Sequence, residues 1–166
     1  MPYGIARGLT LLIVLLGLVS GRSHAQVAIT LNSDAPTPSS QDTVEIKVVA
    51  DLSGRSLGAI NARVSWDPAK LRFVSIADGG YGQLTTNTHQ VSSGQVGFAA
   101  FQAGGQSGEF PLARLRFQPL QGVVGTAAVD IAIEELLAAK TFEDLLPQTT
   151  TVPAALLLGG IGPADL

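Results

Sequence analysis

Cysteine is absent from this 166-residue chain, and histidine occurs only twice. Without cysteine the chain cannot use disulfides, thiol catalysis, cysteine-ligated zinc or iron–sulfur clusters. His24 falls within the first 25 residues, so His89 is the only histidine in the rest of the chain. A site built from several histidines is therefore excluded. Aromatic residues make up only 5% of the chain, which leaves few rings for a stacking surface.

Long apolar runs are also scarce. The longest, Leu9–Val19, has 11 residues, whereas a membrane-spanning helix needs roughly 20. Arg7 precedes this run, and Ser23-His24-Ala25 follows it as a small-x-small cleavage site. The pattern predicts a signal peptide over residues 1–25. We therefore expect an exported chain that begins at Gln26 and does not insert into a membrane after cleavage.

Basic charge is sparse as well. Cleavage would remove Arg7 and Arg22, which leaves eight basic against 13 acidic residues and a net charge of −5. The basic residues are scattered along the sequence, which argues against nucleic acid as a partner. The 141 residues that remain suffice for one domain with its own core. We expect this domain to cover 26–158 and a glycine-rich, linker-like tail to cover 159–166.

Short segments of alternating polarity, separated by turn residues, are abundant. Ile60, Ala62, Val64 and Trp66 alternate with polar residues, which predicts a strand with one buried face. Many such segments indicate an all-β sandwich with jelly-roll topology. Nine strands are predicted, at about 27–32, 43–52, 59–66, 71–77, 84–91, 95–102, 112–119, 127–133 and 150–158. Residues 134–140 favour either a short helical turn or an extension of the eighth strand.

A corner at Trp66-Asp67-Pro68 joins two of these strands, because proline gives no N–H to a sheet and restricts the residue before it. The next strand, Leu71–Ile76, ends at Ala77-Asp78-Gly79-Gly80. This arrangement resembles the cohesin family, whose domains carry an apolar strand, an aromatic-Asp-Pro corner, a leucine and a second apolar strand ending at a glycine. Segments 92–101 and 111–117 also resemble cohesin strands, so the resemblance covers roughly Val27 to Leu158.

The resemblance implies a non-catalytic binding module. In cohesins, the strands that correspond to the third, fifth, sixth and eighth predicted here form the sheet that receives a dockerin, a small calcium-loaded helical protein. Carried over by position, the implied contact residues are Asn61, Arg63, Ser65, Asn87, His89, Gln95 and Gly97. A slip of one residue in register would exchange each side chain with its neighbour. Ordinary solvated residues are the alternative interpretation at these positions.

Patterns for catalysis and for metal binding are weak. Glu134-Glu135 and Glu143-Asp144 are better explained as solvated charges than as an acid and base pair. Ser92-Ser93, near His89, lack a nucleophile-elbow motif. The aspartates in or beside loops lack the alternating spacing of a calcium loop and suit turn formation. We therefore expect no enzymatic activity, no cofactor and no metal site.

Two other functions stay open. Carbohydrate-binding modules share the jelly-roll architecture, although Trp66 is expected in the core and only Tyr81, in a glycine-rich loop, is expected to be exposed. An adhesion or self-assembly domain would pair through exposed edge strands. We expect a domain outside a bacterial cell or at its surface, in polysaccharide-degrading or cell-surface assemblies. Its leading partner is a dockerin-type protein, and polysaccharide is the alternative.

Overall fold

A computed structural model describes residues 27–159, so the predicted signal peptide and nearly all of the predicted tail lie outside the described residues. The described chain is all-β, as predicted. Its strands are β1 (Val27–Ser33), β2 (Val44–Trp66), β3 (Leu71–Asp78), β4 (Gln83–Asn87), β5 (Gln95–Pro119), β6 (Gly125–Ala138), β7 (Thr149–Val152) and β8 (Ala154–Leu158). Single 3-10 turns cover Val91–Ser93 and Leu146–Gln148.

The eight strands differ from the nine predicted because two predicted pairs are continuous and one predicted strand is divided. β2 runs through the segment 53–58, which the sequence predicted to be a turn, and β5 likewise runs through 103–111. Pro153 separates β7 from β8, since it cannot donate a ladder hydrogen bond.

The helical turn predicted over 134–140 is wrong, and the alternative of an extended strand is right. β6 continues to Ala138, with Leu136 opposite Ile60 and Leu137 opposite Ala59 of β2. Strong helix formers are overridden here because pairing with a long central strand satisfies the backbone and buries Leu136.

The long strands β2 and β5 each contribute to two layers. Sheet A has the order β7-β1-β2-β5-β3 and uses the first half of β2 with the second half of β5. Sheet B has the order β4-β5-β2-β6-β8 and uses the other two halves. Register irregularities between Leu52, Leu57 and Ala59 mark the place where β2 passes from sheet A to sheet B.

The core lies between the two layers. Along the second half of β2, Ile60, Ala62, Val64 and Trp66 are buried, as the alternation predicted. The Trp66 ring, from sheet B, lies 5.5 Å from the Phe73 ring and 5.1 Å from the Phe117 ring of sheet A, measured between centroids. The apolar faces of the layers thus form one continuous core, and none of the charged residues among 27–159 is buried in it. This arrangement confirms the predicted β-sandwich.

The Trp-Asp-Pro corner is held by the aspartate. Asp67 Oδ1 accepts a hydrogen bond from the Ala69 N–H at 2.9 Å, and the Asp67 carbonyl accepts from the N–H groups of Lys70 and Leu71. Asp42 acts similarly in another turn, where hydrogen bonds from Ser39 hold the pKa of its carboxyl below the usual value. These aspartates are turn formers, as expected.

The prediction that Tyr81 is exposed is wrong. Its side chain is fully buried, its hydroxyl donates to the Leu57 carbonyl at 2.7 Å, and its ring stacks on Phe110 at 5.1 Å. Burial raises the pKa of Tyr81 to about 12. Gly82 lets the loop approach the sheet this closely, since a Cβ there would lie 2.1 Å from the Phe101 carbonyl oxygen. The glycine-rich sequence that predicts an exposed loop therefore allows the loop to pack against the sheet.

Candidate functional site

The outer surface of sheet B carries six of the seven predicted contact residues on strands. Arg63 of β2 lies opposite Gly97 of β5, which lies opposite Asn87 of β4. Two residues farther along β2, Ser65 lies opposite Gln95 of β5. The remaining strand residue, Asn61, is two positions before Arg63 and points to the same side, because successive side chains in a strand alternate.

His89 is not on a strand, contrary to the prediction. β4 ends at Asn87, and His89 lies in the turn that follows, where its backbone N–H donates to Asn87 Oδ1 at 3.1 Å. The turn nevertheless keeps the His89 side chain exposed beside the sheet.

A cleft of about 400 Å³ opens on this surface. Its lining includes five of the predicted residues, namely Asn61, Arg63, Asn87, His89 and Gly97. Ser65 and Gln95 are half-buried and do not line the cleft. We call this depression the sheet B cleft; its further lining residues are Ala62, Thr85, Thr86, Gln90, Phe98, Ala99 and Glu134.

Small residues make the floor of the sheet B cleft. Gly97 and Ala99 lie side by side with the same orientation on β5. Gly97 has no positive φ, and a Cβ there would lie 3.6 Å from Asn87 Cβ, an ordinary van der Waals contact. The backbone therefore does not require glycine at this position. The lack of a side chain instead gives the cleft its depth.

One wall is an ion-pair network that the sequence interpretation missed. Arg63 Nη2 lies 2.5 Å from Glu134 Oε1, and Asn61 Nδ2 donates to Glu134 Oε2 at 3.3 Å. A register shift between Asn61 and Ala62 where they face β6 accompanies the exposure of both Glu134 and Glu135. The sequence predicts only a solvated charge at Glu134, because it does not show that β2 lies beside this residue.

The opposite wall is neutral and can form hydrogen bonds. Thr85, Asn87 and Gln90 supply hydroxyl and amide groups, and His89 supplies its imidazole. The cleft thus offers directional donors and acceptors on both sides of a floor of small residues, which suits the polar surface of another molecule. Residues 27–159 contain no group of three or more histidines and carboxylates that could hold a metal ion. No helix in that part of the chain is long and apolar enough to cross a membrane.

The two-layer architecture is similar to that of solved cohesin domains. A type I cohesin from Pseudobacteroides cellulosolvens matches with a TM-score of 0.70 at 9% identity, over 85% of this chain and 97% of that one. The chain has the cohesin fold. A non-cellulosomal cohesin from the hyperthermophilic archaeon Archaeoglobus fulgidus matches with a TM-score of 0.64 at 16% identity, over 82% and 93% of the two chains.

A further match is the type I cohesin–dockerin complex from Clostridium thermocellum, with a TM-score of 0.67 at 8% identity over 81% and 99% of the two chains. No family model and no curated protein matches the sequence. At such low identities the likeness concerns the backbone architecture of the cohesin fold. The seven contact residues therefore stay predictions, now with a defined place in the fold.

Proposed function

We propose that this chain is an exported, non-catalytic binding module that binds a dockerin-type protein through the outer surface of sheet B. The observation that carries the proposal is the sheet B cleft, which gathers five of the seven predicted contact residues at a solvent-exposed site. Solved neighbours of the same fold include cohesins in complex with dockerins from Clostridium thermocellum and Acetivibrio cellulolyticus. These complexes support a dockerin as the class of partner.

The cleft has features suited to a helical protein surface. Its floor of Gly97 and Ala99 allows the partner's backbone to approach closely, while Asn61 and Asn87 stand on either side as hydrogen-bonding groups. Each hydrogen bond of this kind contributes about 0.5–1.5 kcal/mol. Affinity would therefore come from several such bonds together with the close fit at the floor.

The two other functions have less support from the described residues. Trp66 and Tyr81 are buried, so the larger polar aromatic rings are not available to stack on sugars. The exposed rings of residues 27–159 are those of Phe101 and Phe142. Self-assembly would use the edges of β3, β4, β7 or β8. The carbohydrate-binding alternative and the self-assembly alternative each predict a different result in the experiment described next.

The test is binding of residues 26–166 to a panel of purified dockerin domains, with calcium and again with a chelator. We expect binding by at least one dockerin in calcium only, because dockerins depend on that ion to fold. A Gly97→Val variant fills the cleft floor and should weaken binding at least about tenfold, which corresponds to the loss of about 1.4 kcal/mol. The matched control is Gly104→Val, since Gly104 is exposed on β5 with no atom within 4 Å of an added Cβ.

Equal effects of the two glycine variants would place the partner elsewhere on the domain. Absence of binding to any dockerin, with retardation in gels containing neutral polysaccharide, would favour a carbohydrate-binding module. A dimer that forms with rising concentration in ultracentrifugation would favour self-assembly.

A further inference from the structure

Half of the basic residues that follow residue 25 come together on the outer surface of sheet A, on the other side of the sandwich from the cleft. Arg114 of β5 lies opposite Lys47 of β2. Arg116 is two residues farther along β5, and Arg72 of β3 lies opposite Gln118 on the same face. We call Lys47, Arg72, Arg114 and Arg116 the basic patch. Its members are far apart in the sequence, so only strand pairing reveals the cluster.

Most of the charge of the basic patch is not neutralised. Arg116 pairs with Glu45 at 3.3 Å, but the Arg114 guanidinium donates to the Asp78 carbonyl at 2.9 and 3.0 Å, and the Arg72 guanidinium donates to Gln118 Oε1. Within residues 27–159, Lys47, Arg72 and Arg114 have no carboxylate within 4.0 Å. Neutral acceptors therefore orient two guanidinium groups and leave their charge available to another anion.

The patch carries a cost in stability. Lys47 and Arg114 are direct cross-strand partners, and like charges directly opposite each other destabilise an antiparallel pair. An anion bound across the two strands would relieve the repulsion.

We propose that the basic patch binds a linear polysaccharide that carries carboxylate groups. Arginine presents a planar fork that can match a carboxylate with two hydrogen bonds, and Arg72 and Arg114 are the arginines of the patch that no carboxylate of residues 27–159 neutralises. A strand surface offers these groups along an extended path. Protein interfaces centre on buried apolar anchors, whereas the exposed phenylalanines of the described chain, Phe101 and Phe142, lie away from the patch. Val74, at the β3 bulge, is the exposed large apolar residue near it. A hydrated polyanion therefore fits better than a folded acidic protein.

The test is affinity electrophoresis of residues 26–166 in gels that contain polygalacturonate, at low salt and again at about 0.5 M salt, where charges separated by more than a few ångströms are screened. We expect retardation by polygalacturonate at low salt, little at high salt, and none by a neutral glucan. A K47Q/R72Q/R114Q variant should lose the retardation. The control R55Q/K70Q/K140Q removes the same number of charges outside the patch and should keep it.

A second variant keeps the test valid if the triple substitution impairs folding. Lys47→Glu places a carboxylate opposite Arg114, so the domain should unfold at a slightly higher temperature while its apparent dissociation constant for polygalacturonate rises at least about threefold. Gly97→Val, on the other side of the sandwich, should leave polygalacturonate binding unchanged, which separates this proposal from the dockerin proposal.

Three results would overturn the proposal. The first is no retardation of the wild-type domain at low salt. The second is an equal loss of retardation in the two triple variants, which would show a response to net charge alone. The third is tighter binding to soluble polyglutamate than to polygalacturonate, which would indicate an acidic protein instead.

Discussion

The two outer surfaces of this sandwich share one core and even one strand, yet they differ in chemistry. On the first half of β2, the charged side chains of Glu45, Lys47 and Asp51 point outward. They lie on the same face as the arginines of β5. The second half shows Asn61, Arg63 and Ser65, beside the small residues Gly97 and Ala99. Sheet A thus carries the basic patch, and sheet B carries a cleft with neutral polar groups and one ion pair.

This difference shows that the inward-facing and the outward-facing residues of one strand can differ independently in chemistry. The inward residues of both halves are apolar and belong to the same buried cluster. Because side chains alternate across the pleat, the outward residues can change without disturbing that cluster. One long strand can therefore contribute to two outer surfaces of different chemistry.

The largest expected effect comes from removing the packing that both surfaces share. Trp66→Ala deletes a ring that contacts Phe73 and Phe117 across the layers, and should reduce the free energy of unfolding by about 3–5 kcal/mol. Urea unfolding measures this change. Phe142→Ala is the control, because that ring is 72% exposed and should cost little. A small loss with Trp66→Ala would mean that the two layers do not depend on each other.

A smaller effect is expected where β2 passes from sheet A to sheet B. Tyr81→Phe removes the hydrogen bond to the Leu57 carbonyl and should cost about 1–2 kcal/mol, because a buried acceptor loses its donor. The pKa of Tyr81 is about 12 in the folded domain and near 10 when unfolded. The contribution of the neutral Tyr81 hydroxyl to the free energy of unfolding is therefore fully present below pH 10. It is lost as the pH rises from about 10 to about 12, because the unfolded chain loses this proton first.

The pH dependence gives a separate check on this residue. Unfolding measured from pH 8 to 12 should show an alkaline loss of stability in the wild-type domain that is smaller in Tyr81→Phe. Identical alkaline profiles for the two proteins would contradict the buried position of the hydroxyl.

Arg63→Gln should affect only the sheet B surface. The Arg63–Glu134 pair is about half exposed, so its loss should change the free energy of unfolding by only about 0.5 kcal/mol. Dockerin binding should weaken, because the wall of the cleft loses the Arg63 guanidinium and its pair with Glu134. Polygalacturonate binding should stay the same. Calorimetric titration of both ligands separates the surfaces. Parallel losses for both would show that the surfaces are not independent.

The smallest change in stability, and one of opposite sign, is expected from Lys47→Glu. Replacing a like-charge partner of Arg114 with an opposite charge should raise the free energy of unfolding by a few tenths of a kcal/mol. The gain should shrink in high salt, because the pair is at the surface. Paired urea titrations at low and high salt measure it. A loss of stability would mean that Lys47 makes a favourable contact that the strand register does not show.

Much of the cohesin fold could be predicted from the sequence because it depends on local patterns. The alternation in 60–66 correctly places Trp66 in the core, and the Asp-Pro pair correctly places a turn after it. Pro153 also separates β7 from β8, where the sequence predicts one strand over 150–158. The contact surface was harder to predict. Asn61 and Gly97 were proposed from the resemblance, whereas Glu134 was not.

The sequence by itself determined which side of each strand is apolar, where the corner at Asp67 turns, and that cysteine chemistry is absent, because these follow from residue types and their spacing. Only the tertiary structure decided that Tyr81 is buried, that 134–138 form a strand and that four distant basic residues share a surface. Each of these outcomes depends on a partner strand or loop far away in the sequence. Local propensity is weaker than the burial and hydrogen bonding that such partners supply.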